Sequence, residues 1–399
     1  MIRRPRLRQI DWLVVACTLA LVIIGAAFVR SASYRSGPMG EGYYTTSPLK
    51  QVQWLAIGVV LSVGLLFVNY RHLIEHAYVL YGIGIAALVF VLFFGVHSPT
   101  IYARRWIAVG PLRVQPSEFV KLLVILALAR YLLYRESHRQ FFGLLWPFLL
   151  VVVPMALIAK EPDLGTALVL LPIVFAMLYV AAARTRHLVL IVALFLACVP
   201  VVWFHMRPYQ KERVLSFLAQ DDRHHRHEQY QLKQAKVAIG SGGFLGKGLE
   251  KGTHQRLNFI PAKTRNNDFI FAVICEEWGF LGANFVLALY FALFALCTLV
   301  AERVHHPSGR LIIVGVVAML GTQVVVNTAM ATGQMPIVGL TLPLISYGGS
   351  SLLSSLIGLA LVVNVSIHRG IPLSGDDFDP EAEARRDMAP MSEETFMHA

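Results

Sequence analysis

The chain has 399 residues, 56% of them hydrophobic and only 15% charged, with a formal net charge of +11. Soluble globular proteins carry about 25% charged residues, so an ordinary soluble fold is excluded. The basic excess reads as topology signals and contact with anionic lipid rather than nucleic-acid binding, because no nucleic-acid motif accompanies it.

Apolar runs of about 20 residues, enough to cross a bilayer, recur along the whole length. In chain order they predict ten spans, at 11–30, 52–68, 77–96, 116–134, 144–159, 164–183, 188–204, 268–300, 310–331 and 350–367. The expected fold class is an all-α polytopic integral membrane protein of about ten transmembrane helices. The run from Trp12 to Val29 is too long for a signal h-region and lacks a small-residue cleavage site, so it is expected to be retained. Cys17, Cys198, Cys275 and Cys297 all lie in apolar runs and read as small core residues, not as a disulfide framework.

Ten spans put both termini on one side. The segments on that side hold 13 Lys/Arg, and the short loops opposite hold 7. The positive-inside rule then expects both termini in the cytoplasm. Residues 1–370 form one membrane unit, and 371–399 read as a disordered cytoplasmic tail. The large extracytoplasmic loop, 205–267, breaks the charge pattern with 12 Lys/Arg against 5 Asp/Glu. Either this is solvated charge with some headgroup contact, or it meets an anionic ligand such as a phosphate.

Most unusual polar residues fall on the outer side. In "RRWIAVGPLRVQPSEFVKL", 104–122, Arg104 and Arg105 beside Trp106 form a cation-plus-aromatic edge, which also suits an interfacial anchor. Glu118 and Lys121 stand three apart on a predicted helix and face one another. Two charges in a span point to the protein interior or a water-filled cavity. In "KEPDLGTAL", 160–168, Asp163 followed by Thr166 reads as a helix cap. The run "DDRHHRHE", 221–228, reads as a solvated loop rather than a metal site, since no second ligand cluster accompanies it. The segment "AIGSGGFLGKGLEKGTHQ", 238–255, looks like a phosphate loop but fails the Walker pattern, with Gly248 after Lys247 where Ser or Thr is required. It reads as a flexible loop whose glycines would still let backbone N–H groups approach a pyrophosphate. Gly, Pro, Ser and Thr in "NTAMATGQMPIVGLTLPLISYGGSSLL", 327–353, predict a re-entrant or broken segment near the outer face.

"RRWIAVGPLRVQPSEFVKL", "EPDLGTAL", "QAKVAIGSGGFLGKGL", "NDFIFAVICEEWGFLGA" and "GLTLPLISYGGSSLLSSLIGLALVVNV" together resemble the SEDS family (shape, elongation, division and sporulation), nearest to its rod-shape-determining branch. The resemblance covers nearly all of 10–370. It implies a ten-helix inner-membrane peptidoglycan glycosyltransferase that polymerises lipid II on the outer face during elongation. It also implies a class B penicillin-binding protein, the transpeptidase, as partner. The family's essential acidic residue maps to Asp268, its Arg-Trp pair to Arg105 and Trp106, and its buried acid and lysine to Glu118 and Lys121. The chain departs from the family between Pro261 and Asp268, where the loop is two residues longer and lacks the family's Glu and His.

The implied reaction is attack of a sugar 4-hydroxyl on an anomeric carbon that carries a lipid pyrophosphate. It needs a base near the hydroxyl and positive charge near the pyrophosphate. Asp268 suits the base. The charge would come from Arg105, Lys121, loop cations such as Lys263 and Arg265, or a divalent cation, Mg2+ or Mn2+. Glu276 and Glu277 lie about 12 Å or more along the helix from Asp268, at 1.5 Å per residue, and read as partners for buried cations or helix ends. A flippase for a lipid-linked precursor and a non-catalytic scaffold for the transpeptidase are the alternatives. Formation of new glycan polymer by the purified chain discriminates them.

Overall fold

The computed structural model describes residues 10–36, 42–44, 46–98, 101–110, 112–135, 140–205, 226–253 and 262–368, with 211, 215 and 259 singly. The run 221–225 and the tail from 369 lie outside the described residues, so the readings made there stay as expectations.

Helices occupy all ten predicted spans. They are α1 (Trp12–Ala32), α2 (Ser47–Leu66), α4 (Ala77–Phe94), α5 (Pro116–Tyr134), α6 (Leu145–Lys160), α7 (Leu164–Val180), α8 (Thr185–His205), α11 (Ile270–Arg303), α12 (Pro307–Thr332) and α13 (Gly349–His368). Three shorter helices lie between them: α3 (Tyr70–Glu75), α9 (Arg226–Ser241) and α10 (Ala262–Asn267). Among the described residues, 7 helices are long and apolar enough by themselves to cross a membrane. The helix α7 is short, with 17 residues, and α5 carries Glu118, Lys121 and Arg130. The chain is a multi-pass membrane protein.

The all-α expectation omits small strands in two outer loops. Tyr34–Ser36 (β1) pairs antiparallel with Gly42–Tyr44 (β2). Val96–Ser98 (β3), Ile101–Val109 (β4) and Leu112–Val114 (β5) form a three-stranded sheet in that order. The second sheet carries Arg105 and Trp106 on β4 and leads directly into α5, whose Pro116 stands in the first turn, where a missing N–H costs nothing.

Burial shows which helix is central. In α13, 94% of the apolar window is buried, against 17% in α2. The helix α13 packs on α2, α5 and α12. Buried Asn364 on α13 ties the rim to this centre. Its amide donates to Leu65 O (2.7 Å) and Val68 O (2.6 Å), carbonyls at the end of α2, and its Oδ1 accepts from Tyr70 N at 3.1 Å. Backbone groups left over at a helix end need such a partner when no water reaches them.

The predicted broken segment is present. The helix α12 stops at Thr332 with Gly333 in the left-handed region (φ 77°). Residues 333–348 then run without regular helix, and Leu340, Leu342, Leu344, Ile345 and Ser346 are buried. They press on α1 so closely that a Cβ on Gly25 would meet Ile345 Cα and Leu344 O at 2.6 Å each. From Leu340 to Ser346 this non-helical backbone is largely covered by protein, as its unpaired groups require.

Candidate active site

The segment 333–353 brings the predicted acidic residues together. Gln115, the residue before α5, donates from its backbone N to Ser350 Oγ at 2.9 Å. Its amide donates to Asp163 Oδ2 at 2.7 Å and to Ser117 Oγ at 3.1 Å. Asp163 caps α7 as predicted, accepting from Thr166 N (3.3 Å) and Thr166 Oγ1 (2.9 Å). One turn into α5, Lys121 Nζ meets Glu118 Oε2 at 2.8 Å, and Ser354 Oγ donates to the same oxygen at 3.1 Å. Thr341 and Ser351 hydroxyls lie 2.7 Å apart and close the gap between the broken segment and α13.

Asp268 reaches the same segment from the other side. It is half-buried, in the turn between α10 and α11. Its backbone N–H donates to Thr264 O at 2.8 Å. Its carbonyl accepts from Asn327 Nδ2 at 3.0 Å, and that amide also donates to Leu340 O at 2.7 Å. Ser346 Oγ donates to Asn267 O at 2.6 Å. A Cβ on Gly339 would lie 4.0 Å from Asp268 Oδ2. The carboxylate therefore lies beside Gly339, where no side chain stands between them.

Asp268 is not the N-cap of α11. The helix starts at Ile270, its N-cap is Phe269, and no side chain caps it. Two residues take different places from those expected. Arg265 is 1% exposed. Its guanidinium donates to Ala32 O at the end of α1 (Nε 2.9 Å, Nη2 2.5 Å) and to Tyr34 O at 3.4 Å. It fastens α10 to α1. Lys263 lies in α10, and its side chain is outside the described residues. Arg105 donates from Nε to Glu161 O at 2.8 Å and from Nη2 to Pro162 O, so it clamps the β4 strand onto the α6–α7 turn. Trp106 is half-buried beside it.

Glu161, which the sequence presents as an extra outward-facing charge, is instead buried. It is 1% exposed, and neither carboxylate oxygen has a hydrogen-bond partner among the described residues. Burial and the neighbouring Asp163 push its carboxyl up to about 8, partly offset by Arg105. It lies in the turn after α6 and carries a proton at neutral pH.

The glycine-rich loop is no phosphate cradle. Gly279 breaks α11 at φ 63°, ψ −162°. Loop backbone fills the break: Lys247 N donates to Glu276 O (3.0 Å), Gly248 N to Glu277 O (2.9 Å), and Phe280 N to Gly243 O (2.9 Å). The approach demands glycine on both sides, since a Cβ on Gly279 would sit 2.3 Å from Gly246 N. The N–H groups of Lys247 and Gly248, expected near a pyrophosphate, are committed to α11. Glu276, 1% exposed, accepts from Lys247 Nζ (2.7 Å), Thr253 N (2.8 Å) and Thr253 Oγ1 (3.1 Å). Glu277 Oε1 accepts from Ser31 Oγ at 2.6 Å. Glu276 partners a cation, as expected, though Lys247 is only partly buried, and Glu277 meets a hydroxyl in the last turn of α1.

Among the described residues no three His, Cys, Asp or Glu side chains gather as a metal cage.

The chain matches the model of the FtsW/RodA/SpoVE family, described as cell cycle protein, over residues 11–370. It belongs to this family. The peptidoglycan glycosyltransferase MrdB of Escherichia coli K12 is 34% identical over 362 residues, which are 90% of this chain and 94% of the relative. The Helicobacter pylori J99 protein of the same name is 36% identical over 332 residues, 81% of this chain and 84% of the relative. Among solved structures, rod-shape-determining RodA of Thermus thermophilus superposes with TM-score 0.68 at 34% identity, covering 92% of this chain and 100% of that one. A chain from a peptidoglycan synthase complex that coordinates polymerization and crosslinking superposes at 0.76 and 36%, covering 91% and 99%.

Proposed function

We propose that this chain is a peptidoglycan glycosyltransferase that polymerises lipid II at the outer face of the cytoplasmic membrane during elongation. The observation that carries the reading is family membership together with a half-buried carboxylate, Asp268, facing the side-chain-free backbone at Gly339. Asp268 takes the proton from the attacking 4-hydroxyl. Its backbone is held on three sides by Thr264, Asn327 and Ser346 through Asn267, so the base does not wander. Lys121 already has its charge matched by Glu118. That pair, with Ser354, holds α5 against α13 and so positions the wall opposite Asp268. Arg105 and Trp106 set the outer edge, where a lipid-linked sugar approaches from the interface. No step is routed through a metal ion.

Both termini lie in the cytoplasm on this reading, as the 13-to-7 charge count favours. The family neighbour from a synthase complex supports a class B penicillin-binding protein as partner. The test is polymer formation from lipid II by the purified chain, alone and with its transpeptidase. Glycan polymer from the wild type and none from Asp268→Asn supports the reading. Lipid translocation without polymer would overturn it in favour of a flippase.

A further inference from the structure

At the end of the bundle opposite Asp268, α4 begins, α5 ends and α6 begins. Between them lies a cavity of about 530 Å³. Its walls are aromatic, from Tyr78, Tyr131, Phe142 and Trp146, with Leu150 deeper and Arg135 at the end of α5. Phe142 is 86% and Trp146 60% exposed, so the cavity opens sideways to the surroundings of the bundle rather than to its core. Arg130 lies 5.0 Å from the centre of the Tyr78 ring and donates to Ile74 O at 2.9 Å. Both arginines act on the Tyr78 phenol. The end is basic beyond the cavity as well. Arg184 and Arg186 flank the start of α8, and the His187 ring packs 5.7 Å from Phe141, next to Phe142.

We infer that this cavity binds one anionic glycerophospholipid from the leaflet on its own side. The chemistry matches in each part. A phosphodiester headgroup fits beside Arg135 and the Tyr78 and Tyr131 hydroxyls, with Arg130 adding charge from the other side of the Tyr78 ring. The glycerol and upper acyl region fit the Trp146 and Phe142 faces, which prefer the depth where headgroup meets hydrocarbon. An acyl chain continues along Leu150 on α6. A soluble phosphate satisfies only the first part. A zwitterionic lipid satisfies only the second and third.

The lipid crosses three helix ends, so it fastens α4, α5 and α6 together. Because α5 also carries Glu118 and Lys121 at its other end, an occupied cavity steadies the helix that lines the proposed active site. Lipid binding itself does not depend on that site's chemistry.

The experiment uses the full chain in phosphatidylcholine nanodiscs, titrated with brominated phosphatidylglycerol or brominated phosphatidylcholine. Quenching of Trp146 fluorescence by the lipid bromines is isolated by subtracting the signal of Trp146→Phe. The expected result is enrichment of phosphatidylglycerol over phosphatidylcholine at Trp146 of about tenfold, given two arginines near the headgroup. Arg135→Gln, at an exposed helix end and so not expected to unfold the chain, should cut that preference to about threefold or less. Equal quenching by the two lipids, or an unchanged preference in Arg135→Gln, overturns the inference. Loss of quenching on adding inorganic phosphate would also overturn it, by assigning the basic end to free phosphate. A polymerase assay plays no part in this readout, so a failed lipid test and a failed glycosyltransferase assignment remain distinguishable.

Discussion

Asp268 and Glu276 stand eight positions apart on either side of the start of one helix, and their surroundings differ in kind. Glu276 is buried and takes three donors, all from the loop 23 to 29 residues upstream. Asp268 is half-buried, held by its backbone, with its carboxyl turned to Gly339. Three donors commit the Glu276 carboxylate to structure, whereas Asp268 stands half-buried in the turn before α11 as the proposed base. Substitutions at the two positions should therefore fail in opposite ways.

The largest effect is expected at Asp268. Asn keeps the size and polarity but cannot accept a proton, and general-base catalysis is worth about 10²- to 10⁴-fold. Asp268→Asn should lower lipid II polymerisation by about 100-fold or more while its melting temperature in detergent stays within a degree or two. Because Asp268 does not cap α11, no stability change is owed to a lost cap. A stable variant with near wild-type polymerisation would remove Asp268 as the base.

At Glu276 the order reverses. Removing one partner of a buried ion pair costs about 3 to 5 kcal/mol. Lys247 keeps partial exposure (27% of its side chain), which favours the lower end. Glu276→Gln should reduce melting temperature and abundance, and the protein that remains folded should still polymerise. Gly279→Ala should be at least as damaging, by more than about 3 kcal/mol, since it combines a left-handed φ with a backbone contact at 2.3 Å. If Gly279→Ala melts like wild type, the loop is not grafted into the helix as described.

The contrast explains what was legible in the sequence. Hydropathy marked all ten spans, because each needs about 20 apolar residues whatever it packs against. The Glu118–Lys121 pair was legible because its partners are three residues apart on one helix. The Lys247–Glu276 pair is 29 residues apart and exists only because α11 breaks at Gly279, which no local pattern announces. The glycines of 242–248 were visible, but glycine allows close approach to a ligand or to a helix alike. Arg265 looked like a surface cation because its neighbours are polar. Burial against the α1 carbonyls depends on where α1 ends in space. The strands β1, β2, β3 and β5 have three residues each, too few for an alternating pattern, and the nine of β4, IYARRWIAV, do not alternate.

Arg265 and Arg105 sharpen the same point among cations, with smaller effects. Both spend their donors on backbone carbonyls of another element. Arg265→Lys keeps the charge but loses the planar fork, so one or two of its bonds should go, at about 1 to 3 kcal/mol. Arg105→Lys, at a half-buried edge, should lower stability less and should raise KM for lipid II if the edge it fixes guides the substrate. Equal losses at the two sites would contradict the difference in burial.

Glu161 gives the effect that depends on pH. It is the buried carboxyl without donors, the reverse of Glu276, and its pKa lies near 8 against an ordinary 4.5. The folded chain therefore holds a proton that the unfolded chain has released throughout the interval between those values. Stability falls as pH rises through this interval and levels off above about 8. One proton over two pH units is worth up to about 2.7 kcal/mol. Glutamine is uncharged at every pH, so Glu161→Gln removes this dependence. The variant and the wild type should melt alike near pH 4.5 to 5, and the variant should be more stable by about 2 kcal/mol at pH 7, read from melting curves in one detergent at both pH values. If the wild type instead gains stability over Glu161→Gln on going from pH 5 to pH 7, the Glu161 carboxylate is ionised in the folded chain and meets a cation there, and the neutral assignment falls.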